Sequence, residues 1–403
     1  MTSNNTTAPS DDRPGDPTVP DGPDGPDGPD GPDGTLHRLR QAGWDDGWHD
    51  TAVRYRAEAG SPSTLLLGRV LRVDRSSATV LLRDGEVDAG WGPQLRRAVR
   101  DDPGSVPAAG DWVLVDARDG SGDGSGDGSG ASVEATVVDL LPRRTSVRRL
   151  QVGGSSHEQV LVANVDTVAV VESMAPDLER ARIERLLALA WASGATPLVI
   201  LTKADLVPDP AALAAEAAEA APGCTILVTA SVLGQGLEPL RRLLRAGQTI
   251  ALLGASGVGK STLLNELVGT EAMRTQVLGA VGKGRHTTVT RELHLVPGGG
   301  ALIDTPGMRS IGLAGGEHLD DVFTDVQALA EACRFTDCAH HSEPGCAVQA
   351  AVGSGDLTPR RLESYRKLLR EVEYQASRVD ARVRQQRQAR RKAILRSAAS
   401  PRP

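Results

Sequence analysis

Residues 254–262 read GASGVGKST and directly follow the apolar run IALL. The pattern G-x-x-x-x-G-K-[ST] stands here in its required setting, with a strand before it and a helix-forming stretch, STLLNELVG, after it. The glycines let backbone N–H groups close around phosphate oxygens, and the helix N-terminus adds positive potential. Gly254, Ala255, Ser256, Gly257, Val258, Gly259, Lys260, Ser261 and Thr262 are therefore candidate nucleotide-binding residues. Lys260 is expected to reach the β- and γ-phosphates and assist catalysis, and the Ser261 hydroxyl to ligate Mg²⁺. A chance glycine-rich turn is the competing reading, and the flanking strand and helix weigh against it.

Other segments choose the base. In LTKADL, Asp205 can accept two hydrogen bonds from the N1–H and exocyclic amine of guanine, a pattern adenine does not present. Lys203, after Thr202, is expected against the base plane, and Ala230–Ser231 in VTASVLGQGL resembles the segment whose N–H meets guanine O6. An ordinary strand-to-helix loop with a capping aspartate is the bland alternative for TKAD. DTPG (304–307) ends the strand ALID. Its Asp304 is expected to hold Mg²⁺ through water and its Gly307 N–H to meet the γ-phosphate. Upstream, GKGRHTTVT (282–290) carries Thr287 and Thr288. One of these, with Thr288 preferred, is expected to complete the Mg²⁺ shell. Ordinary GTPases place the base motif last, whereas here TKAD and TAS precede the phosphate loop. The order predicts a circularly permuted P-loop α/β GTPase domain. A P-loop ATPase or kinase is the rival that TKAD argues against.

Around this core the composition shifts. Residues 1–34 hold eight Asp and one Arg, so the chain's formal charge of −7 resides in that stretch and the remainder sums to zero. Its DGPD repeat predicts disorder. An arm at 35–62 follows, then alternating β-prone runs at 63–150 that fit an OB-fold barrel. Within them DGSGDGSGDGSG (119–130) reads as a hairpin loop. Arg143, Arg144, Arg148 and Arg149 are candidate RNA contacts, although surface solvation explains them nearly as well. Residues 151–313 alternate strands and helices, as a parallel sheet requires. Beyond them, 314–403 is expected to be a mostly helical zinc-binding domain. Cys333, Cys338, His340 and Cys346 supply three thiolates and an imidazole suited to one structural tetrahedral Zn²⁺. His341 competes as a ligand, and a set of free thiols is the bland reading. From Thr358, an apolar stripe through Leu362, Tyr365, Leu369, Val372, Ala376, Val379 and Val383 predicts a long helix packed on the protein itself. Residues 359–403 carry fourteen Arg or Lys against four acids, a field that attracts polyanions. No run of eighteen apolar residues occurs, so no membrane span is expected.

PRRTSVRR, ANVDTVAVV, LTKADL, GASGVGKSTLLN, GRHTT, DTPGMR and a Cys–His cluster ending in EPGCAV together resemble one bacterial family, the ribosome small subunit-dependent GTPase A proteins, over roughly residues 63–385. The resemblance implies a multidomain chain with an OB-fold, a permuted GTPase domain and a zinc-bearing C-terminal domain. It also implies a cytoplasmic protein, expected to be a monomer, that binds GTP or GDP and the small ribosomal subunit with its rRNA. The family acts in late subunit maturation, with GTP hydrolysis stimulated by the subunit. Thr202 stands where the family usually has Asn, which is expected to alter loop bracing more than base choice, and Ala230–Ser231 reverses the usual order. Met308 occupies the place where many GTPases carry a water-orienting Gln. His286 in GRHTT, matching the family's switch histidine, is the catalytic candidate. Hydrolysis is expected to loosen DTPG, shift the zinc domain and release the protein. A rival of another class is an RNA-binding assembly module whose guanine-nucleotide site is mainly structural.

Overall fold

The computed structural model describes residues 36–61, 64–118, 134–150, 158–269, 291–305 and 318–377. The acidic tail, the DGSG tract, His286, Thr287, Thr288, Gly307, Val379 and Val383 lie outside them.

Five strands form the first body: β1 (Leu66–Val73), β2 (Ser77–Leu82), β3 (Gly85–Trp91), β4 (Trp112–Arg118) and β5 (Glu134–Leu140). They pair in the order β1-β2-β3-β5-β4, and β4 returns to β1, so the sheet closes into a barrel of OB type without free edges. Alternation along the strands sends Val70, Ala78, Val80, Ala89, Val113, Val115 and Val137 inward. A register shift between Val70 and Arg72 supplies the extra bend that closure needs. Helices α1 (His37–Gln41) and α2 (Asp46–Ala59) lean on the outside of the barrel. Trp44 and Trp48 meet the fully buried Trp112 with ring centroids 4.9 and 5.9 Å apart. Helix α3 (Pro93–Asp101) follows β3.

A hairpin of β6 (Ser146–Leu150) and β7 (Glu158–Ala163) leads to the second body. There β8 (Thr167–Ser173), β9 (Thr196–Thr202), β10 (Thr225–Val228), β11 (Thr249–Leu253), β12 (Glu292–Leu295) and β13 (Ala301–Asp304) form a sheet ordered β10-β9-β8-β11-β13-β12. All neighbours are parallel except β12 with β13. Every residue of β8 and of β11 is buried. Such continuous apolar runs are what a sheet covered on both faces demands. The covering helices are α4 (Arg180–Ala192), α5 (Pro210–Ala220), α6 (Glu238–Arg245) and α7 (Lys260–Val268). The base-recognition strands β9 and β10 precede β11 in the chain yet lie on one side of it, and β13 lies on the other. This is the permuted connectivity.

Two joints hold the bodies together. Arg69 of β1, 1% exposed, donates to the carbonyls of Gly110 (3.3 Å) and Asn164 (2.8 Å) and to Thr249 Oγ1 (2.9 Å). Burial lowers its pKa to about 10, against the pull of Asp166 and Asp111, so it stays charged near neutrality. Arg72 pairs with Glu292 across β1 and β12, making the barrel and the parallel sheet one ribbon of eleven strands.

The C-terminal body comprises helices Leu319–Val322, Thr324–Ala330 and Ala347–Ser354 with helical residues 359–377. Leu362, Tyr365 and Leu368 are buried in the main core, with Leu369 and Val372 packed against it, while Ala376 is exposed. The stripe therefore packs on the protein itself. Glu184 of α4, fully buried, accepts from Arg361 Nη1 (2.7 Å), from Arg360 (3.1 and 3.2 Å) and from Ser364 Oγ. Arg185 pairs with Glu371 at 2.6 and 2.8 Å.

Candidate nucleotide and metal sites

Sequence dictates the phosphate loop locally. Gly254 follows β11 so close to β8 that a Cβ would lie 2.4 Å from the Val171 carbonyl oxygen. Gly259 adopts φ +104°, a conformation that an L side chain resists, immediately before α7 begins. The loop thus delivers the chain from strand to helix in a tight turn. Val258 anchors it by burying in the apolar cluster beneath, while Ser256, Gly257, Ser261 and Thr262 are exposed and Ala255 is half-buried. Lys260 is buried, and its Nζ donates to the carbonyls of Gly254 and Ala255, each at 2.9 Å. Burial lowers its pKa, with Asp304 and Glu172 pulling it back up.

Asp304 ends β13, beside β11, with Leu252 as its register partner. It is 4% exposed, and its Oδ1 is buried without a hydrogen-bond partner. Burial pushes its carboxyl up, and the Lys260 ammonium draws it down. An unpaired buried carboxylate oxygen is costly unless something arrives to use it. Together with the exposed Ser261 hydroxyl it fits a hard, oxygen-seeking cation such as Mg²⁺. The neighbouring Thr305 donates its hydroxyl to the Leu252 carbonyl at 2.6 Å, which holds the two strand ends together.

The base-recognition loops stand on the same edge of the sheet. Thr202 closes β9 and its hydroxyl donates to the Val258 carbonyl of the phosphate loop. The threonine thus braces one loop on the other. Lys203 sits at φ +61° and turns the chain into the 3₁₀ segment Ala204–Leu206, where Asp205 is exposed. Ala204 N–H donates to the Thr229 carbonyl at 3.2 Å, tying this loop to the segment carrying Ala230 and Ser231. Ser231 is buried, and its Oγ has no partner. Lys260, Asp304, Thr202, Lys203, Asp205, Ala230 and Ser231 therefore cluster along the carboxyl ends of β9, β10, β11 and β13, where open α/β sheets bind ligands.

One residue escaped the motif reading. Glu172, 1% exposed in β8, accepts from Arg182 at 2.8 Å and leaves its Oε2 buried without a partner. Burial raises its pKa. The signal was an acid inside an otherwise apolar strand, DTVAVVES.

The cysteine–histidine set also comes together. The ligand atoms of Cys333, Cys338, His340 and Cys346 lie within 4.8 Å of one another. Cys333 and Cys346 Sγ stand 3.6 and 3.5 Å from His340 Nδ1 and 3.9 Å apart. Tetrahedral zinc bonds of about 2.3 Å to sulfur and 2.0–2.1 Å to nitrogen put sulfurs about 3.8 Å apart and S···N pairs about 3.5 Å apart. The three pairs among Cys333, His340 and Cys346 match those spacings, and Cys338 lies close enough to complete the set. His340, at φ +58°, is buried, whereas His341 is exposed and outside the cluster. Gln349 Nε2 holds the His340 carbonyl at 2.5 Å, and Cys346 Sγ caps the following helix by accepting from Gln349 N at 3.4 Å.

Of the arginines considered for RNA, Arg143 is committed internally. It binds the fully buried Asp111 through Nε and Nη2 at 2.8 and 2.7 Å and donates to the carbonyls of Gly104 and Val106. Arg148 contacts Glu158, Arg149 contacts Gln159, and Arg144 lies over the Trp48 ring.

Comparison with known proteins gives a concordant picture. The family model for RsgA GTPase matches residues 140–314. Over 351 residues the chain is 48% identical to the small ribosomal subunit biogenesis GTPase RsgA of Streptomyces coelicolor, spanning 86% of this chain and 90% of that protein. It is 41% identical over 347 residues to the protein of the same name from Opitutus terrae, spanning 85% and 92%. Among solved structures it resembles YjeQ from Thermotoga maritima, with a TM-score of 0.53 and 25% identity over 76% of this chain and 98% of that one. It shares its fold with YloQ, a circularly permuted GTPase, at a TM-score of 0.51 and 23% identity, covering 77% and 96%.

Proposed function

Because this chain belongs to the RsgA GTPase family and is a GTP-hydrolysing enzyme, we propose that it acts in biogenesis of the small ribosomal subunit, binding that subunit and its rRNA late in maturation. Hydrolysis of GTP to GDP and phosphate is stimulated by the subunit and coupled to the protein's release. The observation that carries this reading is 48% identity to a protein of that name across 90% of its length. The clustering of the phosphate loop, base loops and Asp304 supports it.

In this reading Asp205 and Lys203 select and cover guanine while Thr202 holds their loop. Backbone groups of Ala230 and Ser231 meet O6. The loop from Gly254 to Thr262 enfolds the phosphates, and Lys260 neutralises the β–γ bridge. Ser261, Thr288 and Asp304 hold Mg²⁺, which when bound offsets phosphate charge. Gly307 senses the γ-phosphate, with Thr287 beside Thr288, and His286 orients the attacking water. Cys333, Cys338, His340 and Cys346 hold one structural Zn²⁺. The chain divides into a tail (1–34), an arm (35–62), the barrel (63–150), the GTPase unit (151–313) and the zinc unit (314–403). We place the protein in the cytoplasm as a monomer. Among the described residues no helix is long and apolar enough to cross a membrane.

The contacts of Glu184 with Arg360 and Arg361 oppose a wide swing of the zinc unit. The coupling therefore alters what that unit presents rather than detaching it. Co-sedimentation with purified small subunits tests the reading. Tighter binding with a non-hydrolysable GTP analogue than with GDP is expected. Equal affinity removes the release step, because a ligand without differential affinity shifts nothing. Absence of binding in both states removes the ribosomal function.

A further inference from the structure

At the edge of the parallel sheet opposite the phosphate loop, the starting ends of β8, β9 and β10 and the residues before β11 border a cleft of about 740 Å³. Trp48 of the N-terminal arm, Arg144 and the outward residues of α6 complete its walls. Ligands of open α/β sheets gather at the carboxyl ends of strands, so the guanine nucleotide does not account for a cleft at the other end.

Its chemistry is selective. The Arg144 guanidinium lies over the Trp48 ring, 3.9 Å from the centroid. Its acidic contacts are long, 3.4 and 3.5 Å to the two oxygens of Asp45, and its side chain remains 40% exposed. Across the cleft, the exposed Arg242 side chain makes no hydrogen bond or close ion pair among the described residues; Glu238 on the same helix attracts it but is bonded to Arg245. The cleft's own carboxylate, Asp166, accepts from Thr249 N at 2.7 Å. What remains is a planar cation already stacked on an indole, a second cation with no hydrogen bond of its own and only the longer-range pull of Glu238, and a lining of hydroxyls, amides and aliphatic groups. Guanidinium planes and aromatic rings are the platforms on which unstacked bases settle, and an exposed arginine meets a phosphate. The volume lies within the range of pockets that enclose a small ligand of nucleotide size. An acidic peptide would satisfy Arg242 but leave the stacked face unused.

We propose that this cleft receives one unstacked nucleotide of a single-stranded RNA, with its base on the open face of Arg144 and its phosphate against Arg242. The proposal rests on the reading that the partner contains RNA, and it names a contact surface separate from the GTP site.

The test titrates the full chain into a fluorescein-labelled ten-nucleotide single strand and into a duplex of the same sequence, read by anisotropy across a salt series. Arg242→Glu removes the phosphate partner, and Thr225→Trp fills the cleft from an exposed position without changing charge. Both variants should bind the single strand about tenfold more weakly or worse, and the duplex within threefold of the parent, with GDP affinity unchanged. Arg242→Glu should also flatten the logarithmic salt slope by about 0.7, the contribution of one single-strand phosphate. Crosslinking with 4-thiouridine RNA should mark residues 48, 144 or 242–248. Single-strand binding unchanged in both variants overturns the proposal, as does full competition by free AMP or CMP, which would make the cleft a mononucleotide pocket. Co-sedimentation with small subunits runs alongside. If the parent binds subunits while the cleft variants retain full RNA affinity, the cleft assignment fails and the ribosomal function stands. If the parent binds no subunits, the ribosomal reading fails while the RNA titration still decides the cleft.

Discussion

Replacing Glu184 by alanine should loosen the docking of the C-terminal body on the GTPase unit without touching the nucleotide site. Glu184 is fully buried and its two oxygens receive Arg360, Arg361 and Ser364. Removing one partner of a buried ion pair costs about 3–5 kcal/mol, chiefly because the other charge is left uncompensated. Here Arg361 keeps Asp325, at 3.0 Å to each oxygen, and the Val322 carbonyl, so the low end applies. About 3 kcal/mol corresponds to a shift on the order of a hundredfold in the docking equilibrium. Hydrogen exchange of residues 318–330 and 359–377 reads that opening directly, and urea unfolding reads its contribution to stability. The double variant Glu184→Leu with Arg361→Met should recover more than half of the loss, since replacing both members of a buried pair by apolar groups is often close to neutral. Protection unchanged in Glu184→Ala, or a double variant as unstable as the single, would refute the claim that this pair fastens the two bodies.

Three further outcomes follow from the sites. Asp205→Asn should weaken GDP binding at least a hundredfold and favour xanthosine diphosphate, because the amide donates where the carboxylate accepted; equal loss for both nucleotides by calorimetry would argue against a base contact. Metal analysis should find one zinc per chain, falling well below half in Cys346→Ser, with faster exchange in 318–377 and GDP affinity within threefold; full zinc in the variant would move the ligand elsewhere. His286→Ala should abolish the subunit-stimulated part of GTP turnover yet preserve GTP binding, and unchanged stimulation would take His286 out of the mechanism.

The elements legible in the sequence were those whose chemistry is local. A phosphate loop needs its glycines, lysine and serine within nine residues, and the barrel strands announce themselves by alternation, so both were readable before any fold was known. Circular order was readable for the same reason, since each motif stands alone. The spacing of the cysteines suggested a metal but could not separate His340 from His341; the left-handed backbone at His340 and the burial of its ring make that choice. Long-range pairing was illegible. Glu184 and Arg361 are 177 positions apart, and each reads as an ordinary surface charge on an amphipathic helix. Arg143 sits in the arginine-rich run PRRTSVRR that suggests RNA, yet it satisfies Asp111, and nothing in the strand run TLLLGRVLRVD announces that Arg69 rivets the barrel to the GTPase unit. The consequence of Thr202 was half visible: the missing amide was evident, but the hydroxyl's bond to the phosphate loop depends on how closely β9 approaches Val258.

The most direct test of the central claim is GTP turnover by the purified full-length protein, alone and with small ribosomal subunits, with large subunits as the control. The account predicts slow turnover by the protein alone, strong stimulation by small subunits, and none by large ones. Tight guanine-nucleotide binding with no stimulation by small subunits would contradict it and point to an RNA-binding module whose nucleotide site is structural.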